Sequence, residues 1–174
     1  PEIPAQNIIC EPSRNNTAPC IAYAAFKLFK ENPEAVMVIV PSDHLILKEQ
    51  EYLKIINEGV AFAKNNNALL TLGIQPTRPD TGYGYIQFEN GTDKTRVKKV
   101  MEFKEKPNLE TAQQYLASGN YLWNAGMFIW KASTIVECFK KLTPDIYQLF
   151  AQGQNYYNTS EEKSFIDQYY PHSI

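Results

Sequence analysis

The stretch AVMVIVPSDH, residues 35–44, decides the fold class of this chain. Its first part, Ala35–Val40, is a continuous apolar run rich in β-branched residues and bounded by Pro33 and Pro41. Such a run is typical of a strand buried on both faces of a parallel sheet. The polar residues after Pro41 then follow the carboxyl end of that strand. In open α/β sheets, ligands bind beyond this end of the strands.

Strand and helix patterns alternate outward from this run. Before it, Asn7–Cys10 (NIIC) predicts a short strand, and Thr17 is a candidate N-cap for a helix that runs to about Asn32. After it, helical spacing extends over roughly Glu49–Asn65, and ALLTLGI, residues 68–74, predicts another buried strand. We therefore predict an α/β sandwich with a mainly parallel sheet.

The second half of the chain adds an inserted β-hairpin. Two alternating runs, YGYIQFE and RVKKVMEF, flank Asn90-Gly91, a dipeptide that strongly favours a hairpin turn. Asn108 is placed to cap a helix that ends at Gly119, and AGMFIWK, residues 125–131, predicts a further strand. Helical patterns follow at residues 132–142, 144–151 and 160–168.

The composition of the 174 residues excludes several classes of function. The net charge is −2 and there is no basic block, so a nucleic-acid partner is not indicated. No apolar run approaches the roughly 20 residues that span a bilayer, so we expect no membrane partner. The three cysteines are scattered, which favours small buried thiols in a reducing compartment and therefore a cytoplasmic location.

Two polar clusters could bind a nucleotide and a metal ion. Asp43 suits Mg²⁺, which takes one or two protein carboxylates together with phosphate and water oxygens. A role as the cap of the next turn has about equal weight. Glu11 offers two adjacent acceptor oxygens, which match the N1–H and N2–H₂ groups of guanine. The turn at residues 13–17 would add a helix N-terminus, although a capped helix beside a solvated Glu11 is the simpler alternative.

Three further motifs could form a sugar-phosphate pocket. In PDTGYGYI, Gly84 allows a close approach of backbone to ligand, although glycines beside aromatics also occur in ordinary hairpins. In FKEKP, Glu105 can accept hydrogen bonds from two vicinal hydroxyls and Lys106 can reach a phosphate. In WNAGMF, Asn124 can both donate to and accept from a sugar hydroxyl.

The motifs EPSRNNTAP, PSDH, TGYGYI, EKP and WNAGMFIW, in this order, resemble the nucleotidyltransferase domain of mannose-1-phosphate guanylyltransferases, also called GDP-mannose pyrophosphorylases. The resemblance runs from Ile8 to about Tyr170. It implies a Rossmann-like nucleotidyltransferase sandwich. It also implies an Mg²⁺-dependent reaction of GTP with α-D-mannose 1-phosphate that yields GDP-mannose and pyrophosphate. The residues of these motifs are similar to those of a bacterial type of the domain, which in some proteins is fused to a cupin-like mannose-6-phosphate isomerase module.

The resemblance also implies a role for each site residue. It implies Asp43 and Lys106 as catalytic residues, with Asp43 on the metal ion and Lys106 near the sugar phosphate. The implied nucleotide contacts are Glu11, Asn16 and Thr17. The implied sugar contacts are Gly84, Glu105 and Asn124.

The chain departs from the family pattern in two places. The glycine-rich signature loop with its arginine and lysine, and the first strand that carries it, have no counterpart in the sequence. The chain also stops before the position of a second acidic metal ligand. We therefore expect residues 1–174 to be a partial nucleotidyltransferase domain that is inactive alone. We also expect an exposed sheet edge, at which copies of the chain could associate as a homo-oligomer.

Three alternatives remain to be weighed. A sibling sugar-phosphate nucleotidyltransferase is disfavoured by Glu11, because thymine or uracil would be better served by an amide. A nucleotide-sugar glycosyltransferase would commonly carry Asp-x-Asp, a spacing that none of the five aspartates has. The third alternative, a non-catalytic nucleotide-sugar-binding module, is not disfavoured by any of these motifs.

Overall fold

A computed structural model describes residues 3–90 and 96–173 of the chain. Helices and strands alternate over most of this length. The helices are α1 (Thr17–Glu31), α2 (Glu49–Asn65), α3 (Leu109–Ser118), α4 (Ala132–Leu142), α5 (Pro144–Ala151) and α6 (Glu162–Tyr169). The strands are β1 (Val36–Ile39), β2 (Leu70–Ile74), β3 (Tyr85–Phe88), β4 (Val100–Lys104) and β5 (Tyr121–Lys131). The α/β class is therefore confirmed.

The sheet has the strand order β1-β5-β3-β4, and β2 also pairs with β5. The β2–β5, β3–β4 and β3–β5 pairs are all antiparallel, so the prediction of a mainly parallel sheet is wrong. The cause is the 11-residue strand β5, which takes antiparallel partners on both sides. An apolar run indicates burial but does not encode the direction of its neighbour. The predicted hairpin is confirmed as the β3–β4 pair, although its turn at residues 91–95 lies outside the described residues.

Two strand predictions need correction. Asn7–Cys10 forms no strand: a short 3-10 turn covers Ala5–Asn7, Ile8 is extended, and no ladder partner is described for the segment. Ile8 and Ile9 are accordingly 59% and 42% exposed. Strand β1 is not buried on both faces, since Val38 is 38% exposed. Apolar character predicted extended backbone correctly for β1 but not for the whole of Asn7–Cys10, and burial requires a covering element that the described residues do not supply.

The chain divides into two compact units, which we call unit 1 and unit 2. Unit 1 comprises the described residues within 1–37, 62–69 and 130–174, and unit 2 comprises those within 38–61 and 70–129.

Unit 1 is held together by aromatic packing between helices. Helix α1 packs against α4 and α5, and its Phe26 lies 6.1 Å, centroid to centroid, from Phe150. Phe150 in turn contacts Tyr170 at 5.8 Å. These side chains are almost fully buried, and aromatic pairs of this geometry add to the stabilisation from buried area.

Unit 2 has its own smaller core, where Tyr85 and Trp123 pack with Ala112 of α3. The bounds of α3 agree with the sequence. Asn108 Oδ1 accepts a hydrogen bond from the Thr111 backbone N–H at 2.9 Å, and Gly119 ends the helix with φ +73°. Both signals are local, which explains why they were predictable.

The three cysteines are free, as predicted, but Cys10 and Cys20 are exposed and not buried. Among the described residues, no helix combines the length and apolar character that crossing a membrane requires.

Candidate functional site

The three predicted sugar contacts meet at one end of the sheet in unit 2. Strand β3 pairs Tyr85 with Lys104 of β4 and with Trp123 of β5. In antiparallel register, the residue before Tyr85 therefore lies opposite the residues that follow Lys104 and Trp123. We call Gly84, Glu105 and Asn124 the Gly84 cluster.

Contacts within the Gly84 cluster are close. The Asn124 backbone N–H donates to the Gly84 carbonyl oxygen at 2.8 Å. A Cβ atom on Gly84 would lie 2.9 Å from Glu105 Oε2 and 3.7 Å from the Cβ of Asn124. A larger residue at position 84 would therefore displace the Glu105 carboxylate from this position.

The side chain of Asn124 is held by two donors. Its Oδ1 accepts from Thr71 Oγ1 at 3.2 Å and from the Gly126 backbone N–H at 3.0 Å. Gly126 has φ +67°, a conformation that favours glycine. Thr71 was not predicted as a site residue. The available signal was its position as the polar residue in the otherwise apolar stretch LLTLGI.

Lys106 occupies an unusual backbone conformation. Its φ is +39°, which is sparsely populated for a non-glycine residue, and the following Pro107 normally restricts its predecessor to extended backbone. Such outliers cluster at functional sites. Its Nζ lies 3.8 Å from Glu105 Oε1, and both side chains are more than 60% exposed. The ion pair is therefore weak, and the ammonium group is accessible.

Asp43 lies in the turn after β1 and is exposed. Pro41, two residues before it, has its Cγ atom 3.6 Å from where a Cβ on Gly126 would lie, so this turn begins beside Gly126 of β5. Within residues 3–90 and 96–173, no group of three or more His, Cys, Asp or Glu side chains could hold a metal ion. Asp43 therefore belongs to no three-ligand protein site among these residues, which is compatible with an ion that takes most of its ligands from phosphate and water.

The predicted nucleotide contacts lie in unit 1, at the start of α1. Thr17 is the first helical residue and not the cap; the N-cap is Asn16, which makes no side-chain capping bond. Asn16 has φ +64° and ψ −168°, a region that is occupied almost only by glycine. The first turn of α1 also lacks an acidic residue. The N-terminus of α1 therefore has no side-chain cap or first-turn carboxylate to compete with a ligand.

Glu11 is oriented by the C-terminal segment. The Tyr170 hydroxyl donates to Glu11 Oε2 at 2.6 Å. Burial, together with this hydrogen bond, raises the pKa of Tyr170 well above its ordinary value. Asn15 Nδ2 donates to the Tyr170 carbonyl oxygen at 2.9 Å and to Ser173 Oγ at 3.2 Å. Tyr170 and Asn15 were not predicted; Asn15 was visible in the sequence only as a second asparagine beside Asn16.

The surface of the described residues has a pocket in unit 1 and a groove on α2. Glu11 lines a pocket of about 410 Å³ in unit 1, together with Tyr23, Lys27 and Ile166 among others. A groove of about 610 Å³ follows one face of α2 and contains no predicted site residue. All residues that line this groove lie on α2, and a single exposed helix face offers no convergent polar groups of the kind that form a ligand site.

Comparison with protein families gives one match over most of the chain. The family model described as "Nucleotidyl transferase" matches residues 3–168. Among curated proteins, a Salmonella montevideo protein named "Mannose-1-phosphate guanylyltransferase" is 45% identical over 147 residues, covering 82% of this chain and 30% of the relative. The "Xanthan biosynthesis protein XanB" of Xanthomonas campestris pv. campestris strain B100 is 44% identical, covering 80% of this chain and 29% of the relative. The chain thus spans about 30% of the length of these relatives.

Solved structures give the same fold. A Thermus thermophilus protein named mannose-1-phosphate geranyltransferase superposes with a TM-score of 0.78 at 27% identity, covering 90% of this chain and 45% of that one. A Helicobacter pylori protein named mannose-6-phosphate isomerase superposes with a TM-score of 0.70 at 32% identity, covering 83% and 53% respectively.

Proposed function

Because this chain belongs to the nucleotidyl transferase family, we propose that it forms part of an enzyme that transfers GMP from GTP to α-D-mannose 1-phosphate. The products are GDP-mannose and pyrophosphate. The names of the curated guanylyltransferase relatives, at 41–45% identity, support this choice of base and sugar.

The observation that carries the proposal is the Gly84 cluster. Glu105 Oε2 lies only 2.9 Å from where a Cβ on residue 84 would be, so glycine leaves room for the carboxylate. An exposed carboxylate accepts hydrogen bonds from two neighbouring sugar hydroxyls. Since the Asn124 Oδ1 is already taken by Thr71 and Gly126, its Nδ2 group serves as the donor to a third hydroxyl. This set of donors and acceptors suits a hexose.

Recognition of the base is assigned to Glu11 and the N-terminus of α1. Guanine presents N1–H and N2–H₂ as adjacent donors, and the Glu11 carboxylate is an acceptor for both. Tyr170 orients the carboxylate from one side through its hydrogen bond to Oε2. The Asn16 turn places uncapped backbone N–H groups nearby for the acceptor edge of the base.

The phosphate chemistry is assigned to Lys106 and Asp43. A phosphate oxygen of mannose 1-phosphate attacks the α-phosphorus of GTP in line; the new P–O bond forms as the bond from the α-phosphorus to the bridging oxygen breaks, and pyrophosphate leaves with that electron pair. Lys106 neutralises and orients the sugar phosphate. We propose Mg²⁺ as the divalent cation that Asp43 would hold, where it would neutralise charge on the nucleotide phosphates. These residues act by positioning and by electrostatics, and no covalent enzyme intermediate is required.

Titration calorimetry of the chain with GDP-mannose and UDP-glucose, each with Mg²⁺, tests the proposal. We expect binding of GDP-mannose at least about tenfold tighter than that of UDP-glucose, which corresponds to about 1.4 kcal/mol. Equal affinities, or no binding of either, would contradict the assignment.

The base-reading role of Glu11 has a separate test. Hypoxanthine lacks the N2 amine, so wild type should bind GDP-mannose about three- to tenfold more tightly than IDP-mannose. In Glu11→Gln the ratio of the dissociation constant of IDP-mannose to that of GDP-mannose should fall towards one. Glu31→Gln, at an exposed position at the end of α1, is the matched control and should keep it. If Glu11→Gln keeps the full wild-type preference for GDP-mannose over IDP-mannose, another residue recognises the base.

A further inference from the structure

The loop that joins β2 to β3 in unit 2 is organised around Asp80. Its Oδ2 accepts from Arg78 Nε at 3.0 Å and from Arg78 Nη2 at 2.7 Å. Its Oδ1 accepts from the Gly82 backbone N–H at 2.8 Å. The Gly82 N–H and the Arg78 guanidinium together hold the pKa of Asp80 below its usual value, so the carboxylate stays charged. Both halves of the loop are thereby tied to one side chain.

Tyr85 anchors this loop to the sheet. Its hydroxyl donates to the Asp80 carbonyl oxygen at 2.8 Å and accepts from the Asp80 backbone N–H at 3.1 Å. The side chain of Tyr85 is fully buried, and its ring packs 5.3 Å from that of Tyr115. The backbone of Asp80 is therefore connected to the core of unit 2 through a single phenol group.

Trp123 supports the same loop from the neighbouring strand. The Arg78 guanidinium carbon lies 5.3 Å from the centroid of its ring, and the Tyr83 ring lies 5.0 Å from it. Trp123 immediately precedes Asn124, and Tyr83 immediately precedes Gly84. The contacts of the loop thus converge on the residues that flank the Gly84 cluster.

We propose that Asp80 and Tyr85 are positioning residues for sugar recognition. They hold Gly84 so that its carbonyl oxygen accepts from the Asn124 backbone N–H and its missing side chain leaves space for the Glu105 carboxylate. This inference rests on the proposed function. Neither residue contacts the sugar in this assignment. The hydrogen bonds of Asp80 and Tyr85 are needed because a segment with two glycines has many accessible backbone conformations. Without these bonds, Gly82 and Gly84 would not keep one fixed geometry. A binding group that is not held within about 0.5 Å by its surroundings loses affinity.

The test separates positioning from general stability. GDP shares the nucleotide part of GDP-mannose but lacks the sugar and has a free terminal phosphate. The dissociation constant of GDP divided by that of GDP-mannose therefore contains a phosphate effect, which cancels when a variant is compared with wild type, so a change in this ratio reports a change in the sugar contribution. For Asp80→Asn and for Tyr85→Phe we expect this ratio to shrink about three- to tenfold, with the affinity for GDP itself unchanged. The matched controls, Asp145→Asn and Tyr115→Phe, should keep the wild-type ratio. A purely structural role would lower the melting temperature without changing the ratio, and that result would overturn the proposal.

Hydrogen exchange in the unliganded chain gives a second readout that needs no ligand. If the Tyr85–Asp80 tie positions Gly84, the Asn124 amide that donates to its carbonyl should exchange faster in Tyr85→Phe than in Tyr115→Phe. Equal exchange at Asn124 in these two variants would overturn the positioning role, whatever the nucleotide binding.

The same titrations distinguish failure of the two proposals. If wild type prefers GDP-mannose over GDP and both variants keep that preference, the positioning role is wrong and the proposed function stands. If wild type binds GDP-mannose no more tightly than UDP-glucose, the proposed function is wrong, and the positioning role falls with it.

Discussion

Replacing Glu162 by glutamine should destabilise the chain at neutral pH and much less in acid. Glu162 is buried in unit 1, with an exposed fraction of only 9%, and its carboxylate accepts three hydrogen bonds. Tyr23 donates to Oε1 at 2.5 Å; Lys27 Nζ and the Asn158 backbone N–H donate to Oε2 at 2.5 and 2.6 Å. These bonds join α6 and the segment before it to α1.

The expected magnitude follows from what glutamine can retain. Its Oε1 can accept from Lys27 and Asn158, and its amide can donate to the Tyr23 oxygen. Hydrogen bonds to all three partners therefore remain geometrically possible. The loss is then the attraction between the carboxylate and the Lys27 ammonium, whose side chain is only 21% exposed. We expect a decrease of about 2 kcal/mol in the free energy of unfolding for Glu162→Gln. Glu162→Ala, which leaves the ammonium group without its partner, should cost about 3–5 kcal/mol.

The pH dependence has a definite sign. Burial acts to raise the pKa of Glu162, but the hydrogen bonds from Lys27, Tyr23 and Asn158 outweigh it, so the pKa in the folded chain is lowered. A lowered pKa contributes stability that is present above the unfolded-state value of about 4.3 and is lost as the pH falls through the folded-state value. Wild type should therefore lose its advantage over Glu162→Gln in acid.

Urea unfolding at pH 7 and at about pH 3, followed by circular dichroism, measures both effects. Glu161→Gln, one residue earlier and exposed, is the matched control and should change the free energy of unfolding by less than about 0.5 kcal/mol. Wild type and Glu162→Gln with equal stability at pH 7, or with the same difference at both pH values, would refute the reasoning.

Three further substitutions test other contacts. Gly84→Ala should leave the melting temperature nearly unchanged, because the one close contact of its Cβ is with the exposed end of Glu105 and its other neighbours lie at ordinary van der Waals distances, yet calorimetry should show weaker binding of GDP-mannose; unchanged binding would argue against the Gly84 cluster. Gly153→Ala should cost at least about 2 kcal/mol in urea unfolding, since its Cβ would lie 2.6 Å from the buried Tyr157 ring; a cost below about 0.5 kcal/mol would contradict that packing. Lys106→Gly should raise stability by about 1 kcal/mol by relieving the positive φ while weakening the binding of mannose 1-phosphate, and a loss of stability would show that the conformation is not strained.

Local signals in the sequence were sufficient for the helices. Asn108 and Gly119 set the bounds of α3, and the capping contact acts within three residues. The Asn-Gly dipeptide between alternating runs likewise predicted the β3–β4 pair. In each case the residues that decide the conformation are neighbours in the chain, so their physical effect is visible without the fold.

The direction of the sheet and the burial of its strands were not visible in this way. The apolar run at Val36–Ile39 is compatible with parallel or antiparallel neighbours, and only pairing with distant segments decides between them. The run at Asn7–Cys10 has high strand propensity, but propensity without a ladder partner does not make a strand.

The sequence by itself determined which residue types are available for the site, because carboxylates, amides and glycines at element ends limit the chemistry. Only the tertiary structure decided which of them act together. Register across three strands brought Gly84, Glu105 and Asn124 into contact, and the fold of unit 1 placed the Tyr170 hydroxyl on Glu11 from 159 positions away in the chain. Contacts of this range depend on how whole elements pack, and no short window of sequence contains that information.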